Sequence, residues 1–187
     1  MVKRLAVLVV CGLMSVSAFG QELQVDQKEG AKFLSKGDLY VSGKLAVGAV
    51  YGASSGFVAS GEYGLQEGFL NLGDFPASLG VGGSIGYSSY TTYYWNYTNI
   101  IVLGSAYYHA DVLDAEQIDT YIVLHLGINV GTVKWDGPFS TNETRSSGGL
   151  VTGSGIGARY FLTDNLAVSA EVGYGMGLLR LGVDLGI

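Results

Sequence analysis

Leu178-Leu179-Arg180-Leu181-Gly182-Val183-Asp184-Leu185-Gly186-Ile187 alternates through to its final residue. Leu179, Leu181, Val183, Leu185 and Ile187 fall on one side, with Arg180, Gly182, Asp184 and Gly186 on the other. A period of two marks a strand with one apolar and one polar face. A soluble sheet ending this way would leave a bare hydrophobic edge, which proteins avoid. A barrel removes that edge by pairing its last strand with its first. The stretch therefore predicts a closing strand whose apolar face meets lipid.

Seven further alternating stretches precede it: Asp38–Gly52, Gly56–Leu65, Ala77–Tyr87, Ile100–His109, Thr120–Val133, Leu150–Phe161 and Leu166–Tyr174. Residues 38–187 allow about nineteen per strand and connection, against ~9–11 for a tilted crossing. The expected fold is all-β, an eight-stranded antiparallel up-and-down transmembrane barrel. Ile100–His109 is apolar on both faces at its start, so alternation leaves its register open. If the chain starts in the periplasm, the connections after strands 1, 3, 5 and 7 face outward. The two largest of these, Ser88–Asn99 and Lys134–Gly149, fit long outer loops and short inner turns. Gln66–Pro76 is long for an inner turn, and Asp111–Asp119 reads as an acidic turn.

The first twenty residues read as a separate object. Lys3 and Arg4 precede the apolar run Leu5–Met14, and Ala18-x-Gly20 offers a cleavage site, which together predict a signal peptide cut near Gly20. Residues 21–37 are polar and read as a periplasmic tail. Cys11, the only cysteine, lies in the signal segment, so the mature chain has neither disulfides nor thiolate metal sites. Without Lys3 and Arg4, 8 basic residues face 16 acidic ones, a formal charge of −8 that argues against nucleic acid. Thirty glycines, thirteen tyrosines and two prolines suit a β protein.

Arg180-Leu181-Gly182-Val183-Asp184-Leu185-Gly186-Ile187 resembles the C-terminal assembly signal of outer-membrane barrels, carried by Arg180, Gly182, Leu185 and Ile187. Its departure is Ile187, where an aromatic is usual. Gly157–Leu166, running on into Glu171–Gly175, looks like the last hairpins of small OmpA/OmpX-like barrels. Asp119–Tyr121 and Gly83–Ser89 look similar to their earlier strands. The resemblance implies an eight-stranded barrel in the outer membrane, with membrane lipid and the barrel-assembly machinery as partners. It implies no activity.

The inward faces collect Lys44, Glu62, His125, Arg159, Glu171, Arg180 and Asp184, which read as a polar network of ion pairs in a filled lumen. Arg159 is expected to pair with Glu171 across the tight hairpin joining their strands. Tyr51, Tyr63, Tyr87, Tyr108, Tyr160 and Tyr174 read as outward girdle positions near strand ends. Tyr90, Tyr93, Tyr94, Trp95 and Tyr97 are candidates for a surface ligand such as sugar rings, with an extended girdle as the plainer reading. His125 has Gly127 rather than a serine two residues along its face, and His109 is followed on its face by Asp111. Neither suggests a catalytic triad, and no metal or cofactor site is expected. The expected role is structural or surface-interactive through the outer loops, without catalysis. A small porin-like conduit is one alternative. A soluble lipocalin-like barrel holding an apolar ligand is another, because alternation does not say which face is inside.

Overall fold

The computed structural model describes residues 34–70, 76–138 and 144–187. The expected signal peptide, and the expected tail as far as residue 33, lie outside the described residues. Eight strands form one closed antiparallel barrel in sequence order: β1 (Leu39–Val50), β2 (Ala53–Glu67), β3 (Ala77–Thr92), β4 (Trp95–Ala110), β5 (Ile118–Trp135), β6 (Thr144–Phe161), β7 (Leu166–Tyr174) and β8 (Leu179–Gly186). Closure runs from Tyr40↔Gly186 to Val47↔Leu179. The alternating stretch 178–187 thus pairs with β1, and no edge remains there.

Closure also decides which face is inside. Leu45, Phe57, Ile85, Leu124, Ile156, Val172 and Leu181 point outward and are exposed, whereas Lys44, Glu62, Arg159, Glu171, Arg180 and Asp184 are buried. The outward tyrosines fall at two heights. Tyr63, Tyr108 and Tyr160 lie toward the end where β1 begins (the lower end), and Tyr87 and Tyr174 toward the upper end. Tyr51 departs from its expected outward position. It sits at φ 49 in a two-residue turn with Gly52 at φ 88 and packs against buried apolar residues of the upper lumen. Positive φ at both central residues is the turn geometry that matches strand twist.

Several strands run further than expected. β3 and β4 pair all the way to Thr92↔Trp95, and β5 and β6 to Lys134↔Thr144. Their neighbours are shorter: β2 pairs with β3 only as far as Phe57↔Tyr87, and β6 meets β7 only from Ser154↔Tyr174. β3 to β6 therefore rise above the rest as a four-stranded sheet. What reads as two loops is largely strand, because cross-strand pairing continues through the Tyr-rich and Ser/Gly-rich segments.

The lumen is layered. Leu34, Tyr40, Phe161 and Ala167 make an apolar floor, and Ala46, Val50, Val58, Ile101, Leu103, Val151 and Met176 an apolar roof. The register of β4 follows from Ser84↔Leu103: Ile101 and Leu103 face in over the glycine and serine face of β3, and Ile100 and Val102 face out. Met176 reaches the roof from the β7–β8 connection, between Gly175 at φ 107 and Gly177 at φ 102. Leu34 corrects the reading of 21–37 as a plain polar tail. Its side chain is fully buried, and Gly37 N–H donates to Gly64 O at 2.9 Å, tying the segment under the barrel. Leu34→Ala should lower stability by about 2–3 kcal/mol, measured as a urea midpoint in micelles, since a buried leucine loses both transfer energy and packing.

Candidate functional site

Two charge clusters lie between floor and roof. In the lower one the Arg159 guanidinium, 1% exposed, donates to Glu62, to Asp119 Oδ2 at 3.2 Å, and lies 3.7 Å from Asp184 Oδ1. His109 joins it with Nε2 2.6 Å from Glu62 Oε1 and Nδ1 2.8 Å from Asp119 Oδ1. Both ring nitrogens face carboxylates, and both donate only from the doubly protonated ring. Ser42 Oγ donates to Asp184. In the upper cluster Glu171 accepts from Arg180 and lies 3.4 Å from Lys44 Nζ and from the Tyr121 hydroxyl. Lys44 Nζ is also 3.4 Å from that hydroxyl.

The expected Arg159–Glu171 pair is replaced by pairs with other partners. Across the β6–β7 hairpin the register is Arg159↔Ser169 and Gly157↔Glu171, a two-residue offset. Directly opposed residues are closer than diagonal ones, and Arg159 faces Asp119 while Glu171 faces Arg180. Sequence reading missed two members. Asp119, read as the end of a turn, is the second residue of β5, and His109, read as lying at the barrel edge, is fully buried. Asp119 is in phase with Tyr121 and His125, read as inward, and His109 is next to Tyr108, read as outward.

With Lys44, Arg159 and Arg180 set against Glu62, Asp119, Glu171 and Asp184, a protonated His109 makes these two clusters four against four, with buried Asp111 outside them. Aromatic rings pack against the charges: the Arg159 guanidinium carbon lies 5.0 Å from the Tyr40 ring centre and 5.3 Å from that of Tyr121. Among the described residues no group of three or more His, Cys, Asp or Glu is placed to hold a metal ion.

His125 has a serine after all, across the strand. Ser105 opposes it in β4, with Oγ 2.8 Å from Nδ1, and Glu171 Oε1 lies 3.6 Å from Nε2, beyond hydrogen-bond reach. The partner comes from the neighbouring strand and not from the same face of β5. All three residues are buried, and Leu103 and Ile101 follow upward on the inner face of β4, in the roof.

The second site is the raised sheet. Tyr90 and Tyr97 are directly opposed, with rings stacked at 4.5 Å and 2°. Trp95 opposes Trp135 at 4.8 Å, and Tyr94 meets Trp135 edge-on at 5.4 Å. Tyr93 stands apart in the turn, 92% exposed. Tyr90, Trp95, Tyr97 and Trp135 share the phase of inward residues Ser88, Asn99 and Tyr121, so they line the face continuous with the lumen. A lipid girdle would occupy the opposite phase, with Tyr87. Around the rings Thr91 Oγ1 donates to Asn96 Oδ1 at 2.6 Å, Asn96 Nδ2 to Asp136 Oδ2 at 2.7 Å, and Lys134 pairs with Asp136 at 3.0 Å. In the closing strand Arg180 is buried, Gly182 packs against Lys44, and Leu185 and Ile187 face outward.

A scan against protein-family models finds no match, and a search of the curated proteins finds none either. Among solved structures, the N-terminal β-barrel domain of Pseudomonas aeruginosa OprF is similar in fold, with a TM-score of 0.55 at 14% identity over 81% of this chain and 98% of that one. Ail, the attachment invasion locus protein of Yersinia pestis, aligns at 0.48 and 15% identity over 81% and 96%. A de novo designed transmembrane β-barrel aligns at 0.49 and 16% identity over 82% and 98%. With its closed ring of eight strands, charged lumen and apolar exterior, the chain has the fold of the small eight-stranded outer-membrane barrels.

Proposed function

We propose that the chain is an integral outer-membrane barrel that presents the raised β3–β6 sheet at the cell surface for recognition and carries out no chemistry of its own. The observation that carries this reading is the inversion of polarity. An exterior of Leu, Ile, Val and Phe around a buried charge network is stable where the surroundings are hydrocarbon. The tyrosines at two heights fit the two interfaces of a bilayer. The closing strand, through Arg180, Gly182, Leu185 and Ile187, serves as the signal for the barrel-assembly machinery. Ser105 bonds to His125, Glu171 stands 3.6 Å from the other ring nitrogen, and all three are buried beneath the apolar roof, which favours a structural role for them. Floor and roof likewise disfavour a conduit: bilayer conductance should stay at the no-protein level, and conductance steps would overturn this part of the reading.

An unboiled sample of the membrane fraction should migrate differently on SDS gels from a boiled one and resist a carbonate wash. Recovery in the soluble fraction without a heat shift would remove the membrane from the proposal. The aromatic face suits ligands with flat apolar faces and polar edges, such as neutral sugar rings. A net acidic chain disfavours polyanions. Trp95 and Trp135 are the only two tryptophans, so emission excited selectively at tryptophan reports on this face alone. Titration with a panel of neutral oligosaccharides should shift that emission, and Tyr94→Ser should abolish the shift. No response to any member would turn the search toward protein partners.

A further inference from the structure

The outer wall holds a trough made by cross-strand register. Ile122, Ile156 and Val172 are directly opposed across β5, β6 and β7 and form one ridge. Two residues lower, Thr120, Ala158 and Ala170 are opposed in the same way, and the next row, Ile118, Tyr160 and Val168, is bulky again. The small row lies between two large ones, and the depression of about 470 Å³ over it continues on to Ala110 and Val112. From β4 to β7 it crosses three strand spacings, on the order of 14 Å. Its floor offers no free polar side-chain atom, because the Thr120 hydroxyl donates to Ala110 O.

The lower end of the trough meets the β4–β5 connection. There Val112 and Leu113 are 46% and 57% exposed, beside exposed Asp114 and Glu116. An apolar slot continuous with the outward apolar wall, whose Val112 end leads into a connection carrying the exposed acidic residues Asp114 and Glu116, has the polarity of a phospholipid with a cationic headgroup. A second copy docked two-fold on this face would set the acidic connection against its own duplicate, which like charges disfavour. We propose that the trough seats one acyl chain of a phospholipid, with an ethanolamine-type ammonium headgroup against Asp114 and Glu116. This rests on the membrane reading above.

The test uses the whole chain in an equal mixture of phosphatidylethanolamine and phosphatidylglycerol vesicles, extracted and weighed by native mass spectrometry. The wild type should keep one phosphatidylethanolamine per barrel, favoured about fivefold over phosphatidylglycerol, the scale of a screened charge contact at a membrane surface. Ala158→Phe with Ala170→Phe fills the trough from the outside and should lose at least about tenfold of that retention while keeping the heat shift. Asp114→Lys with Glu116→Lys should reverse the headgroup preference and keep the chain bound. Undiminished retention in the filled variant, equal retention of both lipids by the wild type, or a protein dimer that the filling substitutions disperse would each overturn the proposal. A heat shift without lipid retention sinks this inference alone. Absence of the heat shift sinks the membrane reading as well.

Discussion

Arg159→Met should leave a chain that fails to form a heat-modifiable barrel, or forms one destabilised by about 3–5 kcal/mol. Among the described residues the guanidinium is the one cation facing Glu62, Asp119 and Asp184 together, from β2, β5 and β8. Methionine fills a similar volume and adds no charge. Glu62 and Asp119 would keep only His109 between them, and Asp184 only a serine hydroxyl. Buried charges without partners cost far more than the pair contributes when present, so the loss exceeds that of a surface ion pair. Arg159→Lys should be intermediate, since an ammonium keeps the charge but cannot fork to several carboxylates. The measurement is the urea midpoint in micelles, followed by the gel shift. A midpoint within experimental scatter of the wild type for Arg159→Met would show that the network is dispensable.

Gly157→Val should cost on the order of 3 kcal/mol by overpacking rather than by charge loss. A Cβ at this position would lie 2.5 to 2.8 Å from atoms of the Tyr121 ring. That ring has nowhere to go. It meets Tyr107 edge-on at 5.8 Å and His109 at 5.4 Å, and its hydroxyl faces Glu171 and Lys44. Displacing it gives up those contacts as well, at about 1 kcal/mol for each hydrogen bond. The double variant Gly157→Val, Tyr121→Ala supplies the control. If the clash is the cause, the two losses should fall short of additivity by about 1 kcal/mol or more. Strict additivity would mean that valine acts elsewhere.

Both predictions depend on partners that no reading of one strand at a time supplies. Alternation placed Arg159, Glu171 and Arg180 on the same side of the wall, because successive side chains in a strand point to opposite faces. Which of them touch depends on register, and register comes from turn geometry and from the fit of neighbouring strands. The β6–β7 hairpin offsets Arg159 from Glu171 by two residues, and the choice of partner follows from that offset. The Ser105–His125 contact is of the same kind.

By itself the sequence determined that there are eight strands, which residues share a face in most of them, and that the last strand must find a partner. Those are local properties, set by a period of two along each segment. Tertiary structure decided which face is the interior, because a lumen closed by eight strands is filled by its own side chains and an exterior is not. It also decided the inward turn of Ile101 and Leu103 where β4 is apolar on both faces. Leu34 and Met176 entered the lumen from segments that read as tail and turn, where they complete the apolar floor and roof that strand residues begin. The raised sheet belongs with these, since pairing continues wherever two neighbours can bond to each other, even where alternation has faded into tyrosine, serine and glycine.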